Sequence, residues 1–474
     1  MNTSYSSMLF TLTFVSGLFL CVIGNSAVVQ ATEISGTISS NTTWTKENSP
    51  YQLIDDLTIM HGVTLTIEPD VIVRFSQTKG STDWVGRPTT ITISHDLHVD
   101  GNLVAHGSTF FTDSTTIIFS KTSSSSKIEN TTFSRHFKIS ISGCSPAIRN
   151  NTFSSATFVI TDGSPEVQNN IFSSAKFTLV EGSPLIHSNS FESLEVYDPF
   201  ISINGGSAVV SNNTINDDAS AEVLIYLEGE NTAVISDNYF SGQFRFSAVV
   251  ITSGSPLFER NFVSNHNTEH WPLKAVGFTI CGDSNPIIRS NTIANNKVGV
   301  NIYDCNGSSS VTLEGNNFEQ NSQYNIYLGE EGVYGTTAPN VDAANNWWGT
   351  ADTSVIIQSI FDHRNNFNVG SVTFNPILDS RNSAAMPNAS PNATLPASIN
   401  LQNSESLLQV SNDSNASSTS SIASQDSTPT IQLPPETQQQ LPQEWLIGII
   451  AALTAAVIVL SNAVIYLYKK QRSL

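Results

Sequence analysis

The chain has 474 residues, of which 13% are charged, and a formal net charge of −20 with an isoelectric point near 4.7. No basic stripe interrupts this acidity, which excludes nucleic acid as a partner class. The length would suit two or three ordinary domains, but repeats along the chain point to one long solenoid with appendages.

Residues 1–31 read as a secretory signal. An apolar run at 8–23 is followed by Val29-Gln30-Ala31, a small-residue cleavage site. No Lys or Arg precedes the run, so an uncleaved anchor is the other reading. Residues 32–120 form a β-rich N-terminal part of the solenoid. LTIMHGVTLTIEPDVIVRF (57–75) and ITISHDLHVDGNLVAHGSTF (91–110) alternate apolar and polar residues between Gly and Pro-Asp turns.

Residues 121–378 carry the repeats. Between 143 and 205 one pattern recurs at periods of 20, 19 and 24 residues. Each copy opens on a Gly-x-Ser-Pro or Gly-Ser-Pro turn, alternates with period two, and places Asn two residues before Phe. The pairs are Asn151/Phe153, Asn170/Phe172 and Asn189/Phe191. Looser copies follow at Asn213, Asn238, Asn261, Asn291, Asn316 and Asn345, and an earlier copy has Thr131 before Phe133. A period near 20 without a 3.6 component marks a repeat architecture of strands. One copy cannot bury its own apolar face. Copies stacked in parallel, about 4.8 Å apart, can. Phe residues then form an interior column, and Asn residues a hydrogen-bonded ladder. The fold class expected is all-β: a right-handed parallel β-helix of about ten turns and about 50 Å, followed by one C-terminal transmembrane helix. The handedness follows the crossover rule.

GVTLTIEPDVIVRF, LHVDGNLVAHGS, the repeated N-x-F turns and the closing NNWWGT resemble right-handed β-helix surface proteins of archaea and bacteria, within the pectin-lyase-like group. The resemblance covers about residues 45–378. It implies the β-helix, and it brings polysaccharide lyases and hydrolases into view as relatives by fold. Where such proteins have Gly after the Pro of the TIEP turn, this chain has Asp70, which also tolerates turns.

Residues 345–378 should close the solenoid, with Trp347 and Trp348 as cap residues or, alternatively, as a sugar-stacking platform. Residues 379–443 turn to Ser, Asn, Pro, Thr and Gln and read as a disordered stalk. Its N-x-[ST] acceptors are Asn388, Asn392, Asn412 and Asn415. Others fall at Asn41, Asn130, Asn150, Asn212 and Asn306. Residues 445–468 form an uncharged apolar run long enough to span a bilayer. Lys469, Lys470 and Arg472 follow, which places the tail 469–474 in the cytoplasm.

Candidate chemistry is sparse. Cys281 and Cys305 are 24 residues apart, about one turn, so a disulfide between neighbouring layers competes with two free buried thiols. In that register Ile280 and Asp304 precede them as equivalents. Cys144 has no counterpart one turn away. The insertion between Asn261 and Asn291 spells H-x-x-E-H at His266, Glu269 and His270, the pattern of inverted zinc peptidases. It lacks the helix that this motif needs. The same three residues as a casual metal site, or Trp271 as a glycan contact, are further readings. Asp217-Asp218 is the only adjacent Asp pair of the repeats and reads as a solvated turn. No cofactor is implied.

The function expected is a membrane-anchored cell-surface β-helix protein with a structural, adhesive or glycan-binding role. The alternative is a polysaccharide lyase or glycoside hydrolase. Its partners would be the membrane, through a single span, and carbohydrate or other surface proteins.

Overall fold

A computed structural model describes residues 30–387, apart from 83–87, 192–198, 218–222, 244–245, 266–274, 306, 308 and 331–335. Strict alternation lays down each layer. In one layer, Glu166–Gln168 turns Val167 inward, and a turn at Asn169-Asn170 leads to Ile171–Phe172 with Phe172 inward. Ala175–Val180 then turns Ala175, Phe177 and Leu179 inward. A Gly-Ser-Pro turn starts the next layer.

One set of short strands, most of them three residues long, stacks into a parallel sheet of 14, from Thr42–Trp44 to Val372–Thr373. The other strands stack into a parallel sheet of 22, from Thr32–Ile38 to Ile360–Phe361. Fourteen layers at the usual strand spacing extend over about 60 Å. The sequence counted ten turns because neither residues 32–120 nor the last layer carries the Asn-x-Phe signature. Strands Thr42–Trp44, Thr64–Ile67, Asn102–His106 and Val372–Thr373 nonetheless join the same sheet. An antiparallel hairpin, Ser76–Thr82 with Pro88–Ser94, juts from this part. Asp70 takes the left-handed conformation, φ 63°, at the turn where Gly was expected.

Two backbone demands explain the Asn-rich turn. Its first residue is left-handed, with φ of 53–57° at Asn130, Asn150, Asn169, Ser188 and Asn212. Asn tolerates that region better than most residues. The second residue turns its amide inward. Asn170 Oδ1 accepts from the Asn151 N–H at 2.9 Å and from its Nδ2 at 3.0 Å. Asn170 Nδ2 donates back to the Ile148 carbonyl at 3.0 Å. The pattern continues through Asn189, Asn213, Asn238, Asn261, Asn291 and Asn316. The column begins in hydroxyls: Thr131 N–H donates to Asn151 Oδ1, and Thr131 and Ser108 share a hydrogen bond of 3.2 Å.

Asn345 does not stand in this column. It is the left-handed residue, φ 58°, and Asn346 supplies the amide, its Oδ1 2.7 Å from the Asn316 N–H. The register is one residue later than the sequence suggested, because two Asn and two Trp in succession hide the shift. Trp348, not Trp347, therefore continues the aromatic column, stacked on Phe318 at 4.9 Å.

A second ladder runs through the later layers. The Asn265 N–H donates to Asn296 Oδ1 at 2.7 Å, and the Asn296 N–H and Nδ2 donate to Asn321 Oδ1 at 3.1 and 3.0 Å. Asn321 passes the chain to Asn325 Oδ1 at 2.9 Å.

The core is two aromatic columns. Phe133, Phe153, Phe172 and Phe191 stack at 4.3, 4.9 and 5.0 Å, and Phe158 on Phe177 at 4.6 Å. Edge-to-face contacts tie the columns together. Each ring is buried, and burying a Phe stabilises by about 1.5–3 kcal/mol. The Gly of each Gly-Ser-Pro turn is needed for space as well as conformation. Gly163 and Gly182 of these turns, and Gly206 of the Gly-Ser-Ala turn one layer on, have positive φ, and a Cβ on any of them would strike the backbone of the layer before.

The C-terminal end is closed by Trp348 and the short helix Thr353–Gln358. Asp352 caps that helix by accepting from the Ser354 N–H, and the helix buries Ile356. The stalk expected from residue 379 starts later. Residues 378–387 run back along the coil as a strap. Leu378 N–H donates to the Asn346 carbonyl, Asn382 N–H to Asn317 Oδ1 at 2.8 Å, and Thr292 Oγ1 to the Ala385 carbonyl at 2.5 Å. Thr292 and Asn317 face outward yet are fully buried beneath it. No helix of the described residues is long and apolar enough to cross a membrane. The signal segment up to residue 29, the rest of the stalk and the run 445–468 lie outside the described residues.

Candidate functional site

Several sequence candidates fall outside the described residues: His266, Glu269, His270, Trp271, Asn388, Asn392, Asn412 and Asn415. Of the two cap tryptophans, Trp348 is buried between Phe318 and Phe374, and Trp347 is half-buried. Trp348 is core and presents no open ring face of the kind a sugar platform needs.

Cys281 and Cys305 form a disulfide, Cα–Cα 5.4 Å. It joins neighbouring layers, but not equivalent positions. Ile280 pairs with Ile302 rather than with Asp304, so Cys305 lies three residues beyond its layer's last paired residue and Cys281 one beyond. The two added residues, Tyr303 and Asp304, leave the strand. Cys144 is free and buried beside Ser123, 3.5 Å from its hydroxyl, and burial pushes its thiol pKa up.

Asp55, Asp56 and His95 place one ligand atom each within 4.8 Å of one another. Existing bonds already use the group. Asp56 Oδ1 accepts from the Asp96 N–H at 2.9 Å, and Gln77 Nε2 lies 3.2 Å from His95 Nε2. We read it as local structure.

The outer face of the 14-stranded sheet carries an ion-pair ladder. Arg149 binds Glu166 at 3.1 Å through Nε and approaches Glu129 at 3.9 Å, and His187 lies 3.5 Å from Glu166. The hydrogen bond from Arg149 holds the Glu166 carboxyl below its ordinary range, with a smaller contribution from His187 and against the opposing pull of burial. These groups neutralise one another and leave little charge for a ligand.

The outer face of the 22-stranded sheet offers more. Parallel register aligns Tyr226, Val250, Thr279, Asn301, Tyr327 and Phe361 in one outward column. Val223, Ser247, Val276, Val298 and Tyr324 form the column beside it. Tyr226 and Tyr327 stand four layers apart, about 19 Å, with shorter side chains between. The Tyr327 ring is backed by Phe361, stacked at 4.4 Å, and braced by Tyr324 at 5.5 Å. Tyr303 is half-buried. Burial raises its phenol pKa, and Glu330 and Tyr226 add to the shift. Polar groups stand along the lane. Asn301 Nδ2 donates to the Tyr327 and Gly329 carbonyls at 3.0 and 2.7 Å, and Ser247 and Thr279 share a hydrogen bond of 2.6 Å.

The two columns contain no Asp or Glu. Glycoside hydrolysis needs two carboxyl groups within about 5–10 Å across the scissile bond. The lane has ring edges, hydroxyls and amides instead. Sequence reasoning missed it because its residues differ from layer to layer and only the register brings them together. The outward tyrosines at near-repeat spacing were the available signal.

A model of a family described as "Right handed beta helix region" matches residues 179–347. None of the curated proteins and none of the solved structures compared with the chain matches it. The matched layers are those that form the lane. The match and the parallel coil observed on both sides of the matched residues together support a right-handed β-helix fold.

Proposed function

We propose that this protein is a cell-surface β-helix, anchored by residues 445–468, that holds an extended glycan along the lane from Tyr226 to Tyr327 without cutting it. The observation that carries this reading is the lane itself. It is a straight, half-buried row with an aromatic ring at each end and hydrogen-bonding groups between. Binding sites combine apolar walls with a few placed polar groups in this way, and tyrosine offers both in one side chain. The enzymatic alternative lacks a carboxylate pair on the lane.

The test is binding by the full chain in detergent to a panel of neutral and acidic oligosaccharides, read by calorimetry and by product analysis. A saturable heat that is lost in Tyr226→Ala and Tyr327→Ala, with the oligosaccharide recovered intact, is expected. Recovery of shortened or unsaturated products would replace binding with catalysis. No saturable heat with any member would remove the glycan reading. Carbonate-resistant sedimentation with membranes tests the anchor separately.

A further inference from the structure

Three large apolar side chains stand exposed in the segment that closes the C-terminal end of the coil. Val355 and Ile357, on the short helix, are 50% and 42% exposed, and Phe367 is 84% exposed. The remaining exposed large hydrophobics among the described residues are scattered from Met60 to Ile287. Here three fall within 13 residues of sequence.

Phe367 is not exposed because its loop is slack. Asp362, 2% exposed, accepts from the backbone N–H groups of Arg364 and Val372, each at 3.0 Å. The Arg364 guanidinium closes on the same carboxylate at 2.8 and 2.9 Å. The Asp362 carbonyl accepts from Asn365 and Asn366, and the His363 N–H donates to Gly370. The His363 ring stands edge-on to Phe367 at 5.3 Å. A loop bonded at so many points yet displaying its one aromatic ring keeps that apolar area for something outside the coil. The Asp362–Arg364 pair also cancels the charge beside the ring.

The occupant that fits is a lipid surface. Shallow insertion needs a few fixed apolar side chains, and the Asp352 carboxylate beside Val355 is engaged by the Ser354 N–H and hydroxyl at the helix N-terminus. The same chain carries the uncharged apolar run 445–468, and a bilayer that takes up this run is held at high effective concentration around the coil. We propose that Phe367, with Val355 and Ile357, is a membrane-contact tip that enters the interfacial zone of a bilayer. This rests on the anchoring read above.

The experiment uses the full chain in phosphatidylcholine liposomes. Asn368→Cys, made together with Cys21→Ser, adds a single reactive thiol beside the tip, because Cys144 is buried and Cys281 and Cys305 are bonded to each other. A polarity-sensitive dye on that thiol should be quenched by brominated lipid. It should be about threefold less open to aqueous iodide than in the same protein bearing V355S, I357S and F367S. Urea unfolding checks that this variant keeps its fold. Protein that sediments with liposomes but leaves the dye equally open to iodide in both forms overturns the tip. Protein that does not sediment overturns the anchor and this proposal with it. Protection that appears without lipid and grows with protein concentration assigns the tip to a second copy and also overturns it.

Discussion

The side-chain oxygen of Asn170 accepts two hydrogen bonds from Asn151, one from its backbone N–H and one from its side-chain amide, at 2.9 and 3.0 Å. One buried amide thus satisfies two donors of the layer before and, through its own Nδ2, the Ile148 carbonyl. Asn170→Ala takes the partner from the Asn151 N–H and from the Ile148 carbonyl, while Asn151 Nδ2 keeps the Ile128 carbonyl at 2.9 Å. An unsatisfied buried group costs about 1–3 kcal/mol, so the variant should lose at least about 2 kcal/mol by urea unfolding. Asn170→Thr should lose less, since Thr131 serves the same position at the start of the ladder. Equal losses for Ala and Thr would mean that the column packs without its hydrogen bonds contributing.

Much of this was legible in the letters. Asn before Phe at a period near 20 is enough to assign a coil, because the left-handed residue, the inward amide and the inward ring each demand a residue type. The register at the end of the ladder was not legible. Asn345-Asn346 and Trp347-Trp348 satisfy either of two alignments, and only the left-handed turn at Asn345 decides between them. The second ladder had a faint signal, Asn296 and Asn321 each five residues after a ladder Asn, lost among the many Asn residues of the chain. The lane had none in any single repeat. Tyr226, Asn301 and Tyr327 meet only through register.

The disulfide tests register by chemistry. The bond closes a loop across 24 residues, which on the chain-entropy model stabilises by about 3 kcal/mol. Unfolding the non-reduced protein should expose one thiol, at Cys144, or two if Cys21 is retained, and reduction should expose two more, Cys281 and Cys305. Mass spectrometry after alkylation makes the assignment. A linkage to Cys144 would contradict the layer order found here. Cys281→Ala with Cys305→Ala should lower the urea midpoint and, because the unfolded chain loses its cross-link, raise the slope slightly.

Acid should weaken the cap loop through Asp362. Burial pushes this carboxyl upward, but the hydrogen bonds from Arg364 and Val372 outweigh it, and its pKa is lowered. A carboxyl whose folded pKa is depressed contributes stability that is present above its unfolded value, near 4, and is lost as pH falls through the folded value. Asp362→Asn should therefore lose about 2 kcal/mol at pH 7 and show a shallower further loss than wild type below pH about 4. Urea unfolding at pH 7, 5, 4 and 3 gives the comparison. Parallel curves would assign the acid response to other carboxyls, of which Glu166, bonded to Arg149, is the next to examine.

The strap should be separable from the coil it crosses. Arg381 binds Glu319 at 2.7 Å and reaches Thr292 at 3.3 Å, and Asn382 Nδ2 donates to the Gly315 carbonyl at 2.6 Å. Beneath these bonds the ladder, the aromatic column and both sheets are already complete. Arg381→Ala with Asn382→Ala removes three hydrogen bonds to the coil, and one within the strap, at roughly 1 kcal/mol each. Local opening of residues 378–387 should become on the order of a hundredfold more frequent, while the global unfolding midpoint hardly moves. Hydrogen exchange followed by mass spectrometry reads both, since peptides from the strap and from the ladder layers are resolved separately. Faster exchange in strap peptides alone is the expected result. A matching loss of protection at Asn291 and Asn316 would show instead that the strap clamps the last layers, and that the coil's C-terminal end opens as one unit with it.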